Sequence, residues 1–405
     1  MKNDYLCIKK CIFYFLEVLY CFYISINIQA QSVPYKILLE KEVNNIRPIN
    51  LNEIGNDISY IPLETSENCF LKDLIKVVAT ESHIAVWDWD RVLLFDLSGR
   101  FITEIGKKGE GPGEYIQLND YCFSWDGTKI YLLTAYSTRC LEYDLQGNFL
   151  QSYKINDKYA KMLPLNENLF VFHPPSQQEG RSPTQYNLVI SDFQNNIRNS
   201  YKNSYILKAS SKFVMFGGSG AFYSYQRNIR FKEHGADTLF TVTENELIPY
   251  SVFLLGNRLM PLDIAVPASA YRSDGTIDLE RALQAYAGKF FVESVREATE
   301  NIYFSLNDWR QSLFGYYNKR NNIVKILGKD GFQNNIDGGL PFWPKYISNN
   351  DILFDFENAY KLREHVLTGT AAELRVKFGK KYDDLVKLVN SLDDESNPVL
   401  IMVKK

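Results

Sequence analysis

The chain has 405 residues, a formal net charge of −3 and 14% aromatic residues. A near-neutral balance excludes a general polyanion-binding surface, so no nucleic-acid partner is expected. Three of the six cysteines (Cys7, Cys11, Cys21) lie before residue 30 and the other three (Cys69, Cys122, Cys140) are widely spaced, which excludes a disulfide scaffold and reads instead as small apolar core residues.

Residues 1–30 read as a signal peptide. Lys2, Lys9 and Lys10 precede the apolar run Cys11–Ile26, and Ile28-Gln29-Ala30 before Gln31 forms a cleavage pattern. Retention of the segment as an anchor is the alternative. Val18-Leu19-Tyr20-Cys21 does not carry a lipoprotein pattern, so no stable membrane span is expected after processing. The predicted location is periplasmic, cell-envelope or extracellular.

From residue 31 onward short apolar runs alternate with turn residues. Tyr35–Val43 and Ile58–Leu63 are strand-like, separated by a polar loop. Leu74–Ala79, His83–Trp87, Arg91–Asp96 and Phe101–Ile105 then make four strands within one repeat. The turn Asp96-Leu97-Ser98-Gly99-Arg100-Phe101 returns as Asp144-Leu145-Gln146-Gly147-Asn148-Phe149 and as Asp192-Phe193-Gln194-Asn195-Asn196-Ile197. The two offsets are equal, with glycine or asparagine where a left-handed residue is needed. Four strands per unit at a fixed period is the pattern of a propeller blade.

Later units include Leu169–His173, Tyr186–Ser191 and Ile197–Tyr201, then Lys212–Phe216, Ala221–Tyr225, Thr238–Val242 and Ile248–Leu254. The period breaks at 257–289, where Ile277–Tyr286 is predicted helical and reads as a small insertion. It resumes with Phe290–Val295, Asn301–Leu306, Ser312–Asn318 and Ile323–Leu327, and a shorter unit follows near Trp343–Phe356. A charged helical segment over about 357–392 precedes a last apolar strand, 397–403. The fold class is all-β, a six-bladed β-propeller over 31–405. The early strands or the last strand are expected to close the sixth blade, because an open ring would leave unpaired edges.

Phe95-Asp-Leu-Ser-Gly-Arg-Phe101 with Gly109-Glu-Gly-Pro-Gly-Glu-Tyr115 resembles the secreted six-bladed β-propeller family of Bacteroidota. Arg230–Phe240 is similar to that family's mid-chain segment, and Asp394–Leu400 to its C-terminal end. The resemblance implies an NHL-like propeller, a membrane-attached lipoprotein in many members, and no established reaction or catalytic residues.

Gly109–Tyr115 lacks the Gly-Lys-Ser/Thr of a phosphate loop and reads as a crossing between blades, with Tyr115 packed between them. Trp87-Asp88-Trp89-Asp90 offers indoles beside carboxylates, as a sugar surface does, or an inter-blade Trp87 with turn-bonding acids. His83, His173, His234 and His365 have no metal spacing, and neither a calcium loop nor a Gly-x-Ser-x-Gly nucleophile occurs. Arg227, Arg230, Lys232 and Glu233 near Asp237-Thr238 suggest either an anion site or a solvated strand end. No cofactor, metal or catalytic residue is assigned. The expected function is a binding or scaffolding module for a glycan or a protein or peptide. The alternative is a propeller-face lactonase, esterase or polysaccharide lyase. The predicted ligand site combines Trp89, Arg139, His173 and Arg227 at one channel mouth.

Overall fold

The computed structural model describes residues 34–135, 138–175, 186–203, 220–261, 267–368 and 371–405. The expected leader over 1–30 and the strand expected at Lys212–Phe216 lie outside them. Two strands come first, β1 (Tyr35–Leu38) and β2 (Asp57–Pro62). Blade one is β3 (Lys76–Ala79), β4 (His83–Asp88), β5 (Arg91–Asp96) and β6 (Phe101–Ile105), and the two-residue pair β7 (Lys107–Lys108) and β8 (Glu114–Tyr115) follows. Blade two is β9 (Leu118–Phe123), β10 (Lys129–Thr134), β11 (Arg139–Asp144) and β12 (Phe149–Lys154). Blade three is β13 (Lys161–Pro164), β14 (Phe170–His173), β15 (Tyr186–Ser191) and β16 (Ile197–Lys202). Blade four is β17 (Ala221–Tyr225), β18 (Asn228–Lys232), β19 (Thr238–Val242) and β20 (Leu247–Leu254), with β1 added as a fifth strand.

Between blades four and five the expected helix is short: α1 spans Leu279–Gln284, with Asp278 accepting the Arg281 amide at 3.2 Å as its N-cap. Blade five is β21 (Phe291–Glu297), β22 (Asn301–Asn307), β23 (Ser312–Asn318) and β24 (Ile323–Leu327). β25 (Tyr346–Ile347) and β26 (Leu353–Glu357) open blade six. Helices α2 (Ala359–Leu367), α3 (Ala371–Phe378) and α4 (Lys380–Asn390) then intervene before β27 (Val399–Lys404). Both chain ends close the ring, because β27 lies between β26 and β2 in the order β2-β27-β26-β25. The fold is thus the expected six-bladed β-propeller.

The apolar runs are continuous, not alternating, because each blade is covered on both faces. In β5 the four residues Val92–Phe95 are all buried. Val92 and Leu94 join Leu132, Leu141 and Tyr143 of blade two, whereas Leu93 and Phe95 join Phe354 and Leu400 of blade six. The outer strands β12 and β16 are largely exposed and correspondingly polar. Tyr115 is buried in the cluster shared by blades one and two, as expected of the crossing segment. Cys69, Cys122 and Cys140 are free and buried.

Two assignments need correction. β13 has no counterpart among the expected strands, and β18 occupies what the sequence presents as a charged turn region. Its Arg230 and Lys232 are buried strand residues, since Arg230 pairs with Glu297 of blade five at 2.8 Å, so they are not a solvated strand end. The stretch between β1 and β2 is more than a loop. Ile46 bridges to Ile326, and the Leu51 amide donates to the Gln333 carbonyl at 2.8 Å, so this segment straps the rims of blades four to six.

Candidate functional site

With strands named a to d outward from the axis, the a strands are β3, β9, β13, β17, β21 and β25, and they meet around the centre. Antiparallel pairing puts the a–b turns at one end of the ring and the b–c turns at the other. The a–b turns open at Thr80, Ser124, Leu165, Tyr225, Ala298 and Ser348. Counting back from those residues aligns the six a strands. Four residues back stand Lys76, Asp120 and Lys161 in blades one to three. Two residues back stand Tyr223, Arg296 and Tyr346 in blades four to six. One side of the axis therefore carries its polar layer higher than the other.

Two pairs of these groups touch, and others reach the backbone of a neighbouring blade. Lys76 Nζ lies 2.6 Å from Asp120 Oδ1 and donates to the Tyr121 carbonyl at 2.6 Å, while Asp120 Oδ2 accepts the Met162 amide at 2.9 Å. Arg296 donates from Nε to the Lys345 carbonyl at 3.1 Å and from Nη1 to the Val295 carbonyl at 2.8 Å, and its guanidinium stands 5.8 Å from the Tyr223 ring centre. Tyr346 donates to the Ala79 carbonyl at 3.0 Å, joining blade six to blade one. Burial holds the Lys161 amine below its usual range; Asp120 opposes that shift, and the charges of Lys76 and Arg296 add to it.

The a–b end is bridged across the axis. Gln226 of blade four donates its amide to Asn349 Oδ1 of blade six at 2.8 Å. Thr299 of blade five donates its amide to Asp351 Oδ1 at 2.9 Å, and Tyr225 bonds to both residues. Arg227 lies 5.2 Å from the Trp125 ring centre in blade two. Arg227 therefore belongs to this bridged end and does not join the other three predicted site residues.

Trp89, Arg139 and His173 stand at the b–c end, in successive blades. Trp89 is 63% exposed at φ +20° on the β4–β5 turn. Beside it Asp90 pairs with Lys108 at 2.8 Å and Lys72 at 3.5 Å. Arg139 is half-buried and donates to the Glu114 carbonyl at 3.1 Å. His173 is buried, its Nδ1–H donating to the Asn187 carbonyl at 2.7 Å, with the rings of Phe222 and Phe231 at 5.8 and 5.7 Å. Burial lowers its pKa to about 4. Trp87 packs against the cluster between blades one and two, the structural role weighed for it.

A family model for the domain of unknown function DUF4934 matches residues 34–404. The chain belongs to the DUF4934 family. Among solved structures, a Bacteroides fragilis protein provisionally described as exported is similar at 18% identity and TM-score 0.68, covering 92% of this chain and all of its own. A Bacteroides vulgatus member of the DUF4221 family is similar at 10% identity and TM-score 0.50, covering 87% of this chain and 97% of its own. At such identities the likeness establishes the propeller fold alone. No functionally curated protein matches the sequence.

The DUF4934 chain holds further ionisable groups at its b–c end. Lys232 is fully buried, donates to the Glu233 carbonyl at 3.2 Å, and has its amine lowered to about 8 by burial. His234 is lowered to about 4, first by burial and then by Lys232. Its ring lies 5.4 Å from Phe291, which is 5.1 Å from Trp309. Among the described residues no three histidine, cysteine or acidic side chains gather as metal ligands. The axial groups carry no linear signature, since each comes from a different blade. The available clue is a common distance from the a–b turn, four residues in blades one to three and two in blades four to six.

Proposed function

We propose that this DUF4934 protein is an exported binding module that takes a glycan or a peptide at the b–c end of its ring. The observation that carries the reading is Trp89. A large indole held exposed on a left-handed turn costs the chain strain and exposed apolar surface, a combination that marks binding loops. Asp90, Lys72 and Lys108 around it supply hydroxyl- and amide-bonding groups at the edge of a flat ring. An open surface of this kind suits an extended ligand better than a compact metabolite. The basic-then-apolar leader and the likeness to a provisionally exported Bacteroides protein support export to the periplasm, envelope or exterior. No helix among the described residues is long and apolar enough to cross a membrane.

Screening the purified chain on glycan and peptide arrays, then measuring the best ligand against Trp89→Ala, tests the proposal. Trp89 touches solvent, so the variant keeps its melting temperature and loses binding at least tenfold. A variant that binds as the parent does would remove Trp89 from any site.

A further inference from the structure

Among the described residues the axial layer holds the cations Lys76 and Arg296 and the carboxylate of Asp120. Lys76 is matched by Asp120, whose two oxygens are already engaged by Lys76 and the Met162 amide. Arg296 adds positive charge that this acid does not contact. It is only half-buried, so part of its surface is open to solvent. Its hydrogen bonds go to two backbone carbonyls, and among the described residues no carboxylate pairs with it. A guanidinium has five N–H donors in a fixed fork, so most of this fork has no acceptor. The Tyr223 hydroxyl, on the side chain beside Arg296, is also buried without a hydrogen-bond partner among the described residues. A guanidinium held within protein with no counter-charge is costly unless an anion joins it.

We infer that the axis is an anion site, in which an oxyanion takes the free edge of Arg296 beside the Tyr223 hydroxyl. The chemistry fits a tetrahedral phosphate or sulfate, or a carboxylate, which a guanidinium binds through two parallel N–H donors. The anion could be a free ion or a charged substituent on a sugar, and the experiment separates the two. The inference rests on the proposed binding function only for the side from which the anion arrives. A failed Trp89 test would leave it standing, because the first probe here is the free ion.

The test is a titration of the purified chain with sodium phosphate and with sodium sulfate, at ionic strength held constant with sodium chloride. Melting temperature and calorimetric heat are both recorded. The parent protein is expected to show a saturable rise in melting temperature with either oxyanion beyond the chloride control. Arg296→Met keeps the bulk of the side chain and removes the fork. It is expected to lose at least tenfold in oxyanion affinity while still folding and melting cooperatively in chloride alone. Should Arg296→Met fail to fold, Arg296→Gln serves in its place with the same expected loss. A parent that responds alike to oxyanion and to matched chloride overturns the inference, as does a folded variant that retains full affinity. In a second arm, a uronate-bearing or sulfated oligosaccharide is compared with a neutral one of equal length. Tighter binding of the charged sugar, abolished by Arg296→Met, assigns the site to a sugar substituent. Equal binding of the two sugars beside a positive free-ion arm assigns it to the free ion.

Discussion

His173 shows how one side chain ties the b–c end to pH. Its ring is buried between two phenylalanines, and its Nδ1–H is committed to the Asn187 carbonyl. Protonation would place a charge there, so burial lowers the pKa from the ordinary 6.5 to about 4. The unfolded chain therefore binds a proton between those values that the folded chain does not. Stability contributed by the neutral ring is complete above pH 6.5 and is lost as pH falls toward 4, by roughly 3 kcal/mol at the limit. His173→Gln, which keeps a donor for Asn187, should flatten the difference in unfolding free energy between pH 7 and pH 4.5 relative to the parent. Equal pH slopes in urea denaturation would show that the ring titrates normally. Arg227 offers a contrasting case at the opposite end. Its contact with Trp125 is a surface cation–π pair, so Arg227→Ala should lower stability by about 0.5–1 kcal/mol in the same denaturation. Ligand binding at the b–c end should be unchanged, because the two sites lie at opposite ends of the strands.

The c–d turns are the elements that repeat most faithfully, and their packing explains why. Asp96 Oδ1 accepts the amides of Ser98 at 2.8 Å and Arg100 at 3.1 Å, and Asp144 and Asp192 do the same for their own turns. The left-handed residue of each turn rests on the outer strand of the preceding blade. A Cβ on Gly99, at φ +85°, would stand 2.2 Å from the Pro62 carbonyl oxygen in β2, and one on Gly147, at φ +84°, 2.9 Å from that of Glu104 in β6. Where the third turn has Asn195, at φ +64°, its side chain donates to the Lys154 carbonyl at 2.9 Å and accepts the Asn156 amide at 2.9 Å. Gly147→Ala should thus cost about 1–3 kcal/mol from the backbone alone. Gly99→Ala should cost more, because its Cβ would stand 2.2 Å from a carbonyl oxygen where that of Gly147 stands 2.9 Å away; calorimetric melting of both variants ranks them. The same constraint made the blades legible in the sequence, since a turn docked on its neighbour must keep its length and its residue types. The a–b turns are not so bound and differ in length, which hid the common register of Lys76, Asp120 and Lys161. β13 went unseen because it is four residues long and ends in Pro164, and β18 because Arg230 and Lys232 read as solvent-facing charges. Burial of those charges depends on partners such as Glu297, distant in the chain, which no local pattern announces.

At the scale of the whole molecule the question is what keeps the ring shut. β27 pairs with β2 over Asp57–Pro62 and with β26 over Leu353–Glu357, so one C-terminal strand joins the first and last parts of the chain. Just before it, Asn397 is buried and uses its whole carboxamide on the N-terminal side of the seam. Its Oδ1 accepts the Leu71 amide at 2.7 Å, while Nδ2 donates to the carbonyls of Glu64 at 2.6 Å and Cys69 at 2.8 Å. The N-terminal strap along blades four to six crosses the same seam from outside, the Asn56 amide donating to the Lys404 carbonyl at 2.9 Å. Asn397→Ala would leave the buried Leu71 amide and Cys69 carbonyl unpaired, each worth about 1–3 kcal/mol, so a loss of roughly 2 kcal/mol or more is expected. Asn397→Asp keeps the acceptor for Leu71 but turns a carboxylate oxygen toward two carbonyls, and should be no better than the alanine variant. Truncation before residue 397 goes further, removing the middle strand of blade six and exposing the edges of β2 and β26. Because neighbouring blades share their apolar clusters, that opening should not stay local. Hydrogen exchange in the Asn397→Ala protein should quicken in blades one, five and six before blade three, while the truncated chain should lose its single cooperative transition. A truncated protein that still melts in one step at the parent's temperature would show that the remaining blades hold the ring without the seam.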